Sequence, residues 1–187
     1  MLARFNHRLA VPVRSGFRFV IVSLFAVLSA LGCSSANDQV KPVDAEQRAD
    51  KIVVSKTDHT MTLMSKGKVL SVYKVALGRG PNGPKEHQGD HKTPEGEYVI
   101  DQKNPQSRFH LALHVSYPNA LDRKRAESRG LDPGGAIMIH GVEKHFAWLG
   151  SLQHEVDWTD GCIAVTNPEI EEVYRLVPVG IPVEILH

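Results

Sequence analysis

The sequence predicts a mainly β domain: a β-rich α+β fold, a single sandwich or open barrel carrying two or three helices. Three observations predict it. Short runs rich in β-branched and aromatic residues recur from Lys51 to Leu186, separated by turn residues. Only a few stretches carry helix-start signals. The chain has 187 residues, enough for one core once an N-terminal leader is set aside.

The elements follow in order. Ile52-Val53-Val54 is a short β run, and Met61 to Met64 alternates in polarity. After the turn Ser65-Lys66-Gly67-Lys68, Val69 to Leu77 is β-branched and aromatic, so the domain opens as a β-meander. Gly78 to Gly96 holds five glycines and three prolines and reads as a loop. A loop of that length in a compact domain is usually functional or disordered. Glu97 to Gln102 resumes a strand, and Phe109 to Tyr117 alternates as a half-buried one. Asn119 is placed to N-cap a helix that stops at Gly130. Ala136 to His140 is a short buried strand. Asn167-Pro168 reads as cap and first helical residue, with Ile170, Val173, Tyr174 and Val177 on one face. Ile181 to Leu186 closes as a strand. No internal repeat and no dinucleotide or phosphate-loop fingerprint occurs.

Residues 1–32 carry Arg4, Arg8, Arg14 and Arg18 and no acid. Phe19 to Leu31 is a 13-residue uncharged apolar run. A spanning helix needs about 20 apolar residues, so residues 1–32 are expected to be a secretory signal peptide. Ser29 to Cys33, "SALGC", resembles a bacterial lipoprotein signal, with Ala30 and Leu31 in swapped order. Cys33 would then be lipidated and anchored in a membrane. Ordinary cleavage after Ala36 and an uncleaved anchor are the rivals. Residues 33–50 are polar and read as a flexible tether, and residues 51–187 as the folded domain. Without the leader the chain keeps 18 Lys and Arg against 21 Asp and Glu. That balance argues against a nucleic-acid partner, which needs a basic surface.

Cys162 is the single thiol of that domain. A leftover cysteine in an exported chain points to a reactive thiol or an intermolecular bridge. As a nucleophile it needs a base, an oxyanion site and a lowered pKa, for which a value near 6 would give roughly 90% thiolate at neutral pH. Gly161 lets a substrate approach the backbone, and its N–H and those nearby are candidate oxyanion donors. Among ten histidines, His140 is the preferred base, because it ends a buried strand and precedes Gly141.

At this point the motifs "IMIHG" and "WTDGCIAVTN" resemble the L,D-transpeptidase catalytic domain, the YkuD-type family of bacterial cell-wall enzymes. His140-Gly141 and Thr159-Asp160-Gly161-Cys162 match its pattern, and Asn167 falls where a later Asn is expected. Thr93, Pro94, Gly96 and Tyr98 match an upstream stretch. The likeness runs from about Lys51 to Leu186. It implies that Cys162 attacks a peptidoglycan tetrapeptide stem, releases the terminal D-Ala and forms a thioester, with His140 as base and a backbone carbonyl orienting it. The acceptor is an amine, including one on a protein, or water. Water gives a carboxypeptidase or a hydrolase of wall or protein–wall links. The resemblance implies no cofactor. A non-catalytic wall-binding module is the remaining alternative. Three departures bear on substrate contacts: Asp160 where many members carry His or Arg, Ala164 where many carry Arg or Asn, and an 18-residue spacer between His140 and Thr159. Thr159, Asp160, Gly161, Gly141 and Trp158 are the expected substrate-binding residues.

Two histidine pairs, His87/His91 and His110/His114, have a spacing that invites a metal reading. In a strand, residues four apart sit about 13 Å from each other, too far for one ion, and no metal is expected. Arg108, His110 and Tyr117 are further candidates to line a groove. The basic run Arg123 to Arg129 reads as a solvated helix face.

Overall fold

A computed structural model describes residues 48–187. The expected signal segment and nearly all of the tether lie outside the described residues. Eight strands and two α-helices make up the fold: β1 (Lys51–Ser55), β2 (Thr60–Ser65), β3 (Lys68–Lys74), β4 (Gly96–Ser107), β5 (His110–Val115), α1 (Ala120–Glu127), β6 (Met138–His140), β7 (Ile163–Ala164), α2 (Asn167–Leu176) and β8 (Pro182–Leu186). A 3-10 segment, Lys144–His154, adds a third helical element. Ala49 is already packed, with its N–H on the Leu176 carbonyl at 3.0 Å. Among the described residues no helix is long and apolar enough to cross a membrane.

The strands form one sheet in the order β3-β2-β1-β8-β4-β5-β6-β7. Pairing is antiparallel except for β1 with β8 and β6 with β7. Alternation sets the inward face: Ile52, Val54, Met61 and Leu63 are fully buried, and their neighbours along the strand are not. Register shifts interrupt β2–β3 after Leu63 and β4–β5 at two places. Such bulges increase local twist, and the sheet curls into a half-barrel. The chain leaving β3 then reaches the far edge. Ala76 exchanges backbone hydrogen bonds with Ala164 of β7 at 3.0 and 2.8 Å.

The sequence reading ended a strand at Gln102, but β4 runs on to Ser107 through Pro105. Beyond Val99 this strand pairs with β5 alone, and the second register shift spans Pro105. A residue without an N–H is tolerated there. Asn119 caps α1 as expected, accepting from Leu121 and Asp122 N–H, and Asp122 accepts in return from Asn119 N–H. The cap of α2 is a correction. Thr166, not Asn167, is the N-cap, and its N–H and hydroxyl both donate to Glu169. Asn167 opens the helix and turns its side chain to Val142 N–H at 2.8 Å. The helix buries Ile170, Val173 and Leu176 and packs against β5, with Tyr174 only half-buried at the margin.

Leu113, at the centre of β5, is fully buried. Leu113→Ala is expected to lower unfolding free energy by about 3 kcal/mol, whereas Val72→Ala, on the exposed edge strand, stays within about 0.5 kcal/mol. Urea denaturation of the two variants measures both.

Candidate active site

His140 ends β6, and Cys162 immediately precedes β7. These strands run parallel, with Ile139 opposite Ile163 and His140 opposite Ala164. Side chains two apart share a face, so continuing this register sets Cys162 opposite Met138, on the same face as His140. Strand spacing of about 4.8 Å and a two-residue rise of about 6.6 Å give a diagonal Cα separation near 8 Å. The thiol and the imidazole thus emerge on one face of the β6–β7 pair.

His140 is 3% exposed. Its Nδ1 lies 2.6 Å from the Gly141 carbonyl. A carbonyl only accepts, so Nδ1 carries the hydrogen and Nε2 carries the lone pair. Phe109 stacks on the ring at 4.5 Å between centroids, and Trp158 meets it edge-on at 5.8 Å. Burial pushes the imidazole pKa below its ordinary value, and the Gly141 carbonyl opposes this. His140 is therefore a neutral base of fixed tautomer.

The Cys162 thiol is partly buried and donates weakly to the Ala136 carbonyl at 3.7 Å. Burial pushes its pKa up, not down as the sequence reading expected. The Met138 N–H and the Lys85 ammonium lower it, and the Asp160 carboxylate raises it further. The resting pair is thus a neutral thiol beside a neutral imidazole.

The other expected site residues divide into those that hold the frame and those that face outward. Thr159 is 4% exposed. Its hydroxyl donates to the Cys162 carbonyl at 2.7 Å and accepts from Gly161 N–H at 3.1 Å. That N–H, expected for an oxyanion, is thereby engaged within the chain. Gly161 has φ 120°, and a Cβ there would sit 2.6 Å from the Lys92 carbonyl. The close approach it permits is by the Gly78–Gly96 loop. A Cβ on Gly141 would collide with the Asn167 side chain and lie 3.0 Å from Ile170. Gly141 therefore lets α2 pack under the strand end that presents His140. Trp158 donates its indole N–H to Gln153 at 3.1 Å. Its ring joins Phe109, Val142, Phe146, Leu152 and Val156 in lining an apolar cleft of about 300 Å³. Asp160 is exposed and held by Arg79 at 2.9 Å and His91 at 2.7 Å.

The remaining candidates are scattered. His110 pairs with Glu171 at 2.7 Å, His114 with Asp101 at 2.5 Å, and His87 with the Gln88 carbonyl. Arg108 stacks on Phe109 and pairs with Glu143 at 3.1 Å. Tyr117 is buried, with its hydroxyl on the Pro133 carbonyl. Among the described residues no group of three or more metal-ligating side chains converges.

Sequence reasoning missed Phe109 as the stacking partner, because it was read as one member of an alternating strand. It named Thr93 in a motif without a role, whereas its hydroxyl accepts from Gly78 N–H at 2.9 Å, and it did not single out Asp90. Asp90 accepts from Glu86, His87 and Lys92 N–H and from Lys85. A Gly-Asp step in a loop is the signal that points to such a turn.

Residues 49–185 match the YkuD family, described as the L,D-transpeptidase catalytic domain. The chain belongs to that family. YafK of Escherichia coli (strain K12) is 31% identical over 166 residues, covering 82% of this chain and 60% of YafK. YqjB of Bacillus subtilis (strain 168) is 27% identical over 167 residues, covering 87% and 82%. The crystal structure of the helical cell shape determining protein Pgp2 from Campylobacter jejuni superposes with a TM-score of 0.55 at 28% identity, covering 73% of this chain and 47% of that one. The chain thus spans less than two thirds of YafK and under half of Pgp2.

The buried imidazole carries a stability consequence. Its folded-state pKa lies below that of the unfolded chain, so the unfolded state binds more protons near pH 6. Half-buried His154, also pushed down by burial, acts in the same sense. Stability is expected to be full above about pH 6.5 and to fall on acidification below it. Thermal melts across pH 5–8 check the sign, and ¹⁵N NMR of His140 at pH 6 is expected to show a neutral ring protonated at Nδ1.

Proposed function

We propose that this chain is a peptidoglycan L,D-transpeptidase in which Cys162 is the nucleophile and His140 the general base. One observation carries the reading: the Gly141 carbonyl fixes the His140 tautomer with the Nε2 lone pair free, on the sheet face where Cys162 stands. A histidine packed for stability alone needs no such arrangement, which argues against a non-catalytic wall-binding module.

The steps follow from these groups. The Cys162 proton passes to His140 Nε2 as the sulfur attacks the carbonyl that precedes the terminal D-Ala of a tetrapeptide stem. The tetrahedral intermediate collapses, the C–N bond breaks, and D-Ala leaves with the proton from His140. The remaining thioester is attacked by an amine, whose proton passes through His140 to the departing Cys162 sulfur. The amine belongs to a second stem or to a protein. Water attacking the same thioester gives a carboxypeptidase, and a neutral imidazole activates water and amine alike. Thiol, imidazole and backbone dipoles suffice, so the reading requires no cofactor. The similarity to Pgp2, a helical cell shape determining protein, supports a role in cell shape. The leader-like N-terminus supports export to the cell envelope with a lipid anchor at Cys33, in the outer membrane where there is one.

The test is incubation of the full chain in detergent with tetrapeptide muropeptides, beside Cys162→Ala, with products read by mass spectrometry. Crosslinked dimers with loss of D-Ala, absent in Cys162→Ala, are the expected result. His140→Gln is expected to slow turnover by about 10²–10⁴-fold. Monomers shortened by D-Ala alone assign water as acceptor. Scission of pre-formed crosslinks or protein–wall links, supplied in parallel, assigns a hydrolase. Identical products from wild type and Cys162→Ala would overturn the reading.

A further inference from the structure

The segment after β6 builds an apolar cleft that the catalytic steps leave unused. Gly150 lies inside the 3-10 stretch Lys144–His154 with φ 51° and ψ −129°, a conformation that a side chain disfavours. The bend it allows brings Phe146 before it and Leu152 and Gln153 after it onto one cleft of about 300 Å³, together with Phe109 and Trp158. Burial would stabilise such side chains, yet Phe146, Leu152 and Val156 stay 50%, 63% and 68% exposed. Contiguous exposed apolar surface marks an interaction site.

Two further observations define what the cleft takes. Gln153, which lines it, is 6% exposed. Its Oε1 accepts from the Trp158 indole N–H at 3.1 Å, which fixes the amide orientation. Its Nε2 is then a donor, and among the described residues it has no acceptor. A buried donor without a partner is unfavourable, and a carbonyl on a bound ligand supplies the partner. The cleft therefore suits a large apolar group that carries a carbonyl, as a residue of a polypeptide does. The second observation is position. Phe109 and Trp158 line the cleft and also contact the His140 ring, at 4.5 and 5.8 Å between centroids. The cleft thus adjoins the group through which the acceptor's proton passes. A stem peptide of alanine and charged residues has no side chain large and apolar enough to fill it.

We propose that this cleft is an acceptor subsite that selects a polypeptide amine flanked by a large apolar residue over the amine of a second stem. The inference rests on Cys162 and His140 forming the thioester, and it names the acceptor class which that chemistry leaves open. The apolar side chain enters between Phe109, Phe146, Leu152 and Trp158, and its backbone carbonyl accepts from Gln153 Nε2. A neighbouring lysine then presents its amine to the thioester. Its attack forms an amide bond, breaks the C–S bond and returns the amine proton through His140 to the Cys162 sulfur.

The experiment is a tryptophan-fluorescence titration of Cys162→Ala, as the full chain in lipid nanodiscs, with acetyl-Phe-Lys amide, acetyl-Lys-Phe amide and acetyl-Gly-Lys amide. The better Phe peptide is expected to bind about tenfold more tightly than the Gly peptide. Adding Leu152→Asp, at an exposed position, is expected to bring that ratio to about one, and Leu152→Met to keep it. Circular dichroism melts confirm that each variant is folded, and the ratio with the cleft intact decides even if Leu152→Asp fails to fold. Equal affinity for all three peptides overturns the proposal. So does a dimer in detergent that Leu152→Asp dissociates, which assigns the cleft to a second copy. Quenching by brominated lipid that Leu152→Asp relieves assigns it to the bilayer and overturns the proposal likewise. With Cys162 restored and tetrapeptide muropeptides as donor, the Phe peptide is expected to be attached in about tenfold excess over an equimolar Gly peptide, and attachment in equal amounts overturns the proposal. Selective binding with no peptide attached and no D-Ala released would instead count against the transpeptidase reading.

Discussion

Two backbone hydrogen bonds between Ala76 and Ala164 join the ends of the curled sheet, and the site depends on them. β7 is only two residues long, and its sheet partner β6 only three. Neither is long enough to hold a register by itself. Ala164 is instead clamped from both sides, by Ala76 and by the parallel pairing to His140. That clamp fixes where Cys162 emerges. The same stretch after β3 reaches on to Thr159, through Thr159 N–H to Leu77 and Arg79 N–H to Thr159. The turn bearing the thiol is thus held at both ends by one continuous segment.

Burial acts on both members of the pair and favours the uncharged form of each, raising the thiol and lowering the imidazole. The two protons are nonetheless coupled. Moving one proton from sulfur to Nε2 creates a thiolate and an imidazolium together, and their attraction in a low-dielectric site offsets part of the desolvation that each would meet alone. Transfer within the pair is therefore less costly than ionising either group to solvent. A resting neutral pair also protects the thiol, since oxidation proceeds through thiolate.

The strand runs, both α-helices and the positions of His140 and Cys162 were legible because each depends on local pattern. Alternation marks Ile52, Val54, Met61 and Leu63, and Asn119 caps α1 with its own side chain. What was not legible depends on distant partners. Asn167 looks like a cap until Val142 N–H claims its side chain and Glu169 serves Thr166 instead. Gly161 looks like an opening for substrate until the Lys92 carbonyl fills the space. The direction of the Cys162 shift is set by how deeply the loop and the segment near Ala136 bury it, which no motif encodes. The 3-10 segment Lys144–His154 carries neither helical nor strand periodicity and went unread.

That segment gives the site two unlike flanks. On the thiol side stand the polar groups Arg79, His91 and Asp160, with Asp160 paired to both of the others. On the imidazole side stand Phe109 and Trp158, with Phe146, Leu152 and Val156 beyond. An apolar flank withholds water from His140 and keeps it neutral, so that it remains a base. The flank beside the sulfur works against the anion, because the Asp160 carboxylate adds to burial in raising the Cys162 pKa. Both residues therefore rest uncharged, His140 through burial and Cys162 through burial and Asp160 together. The separation follows from topology, because the loop after β3 lies over one side of the β6–β7 pair and the segment after β6 over the other.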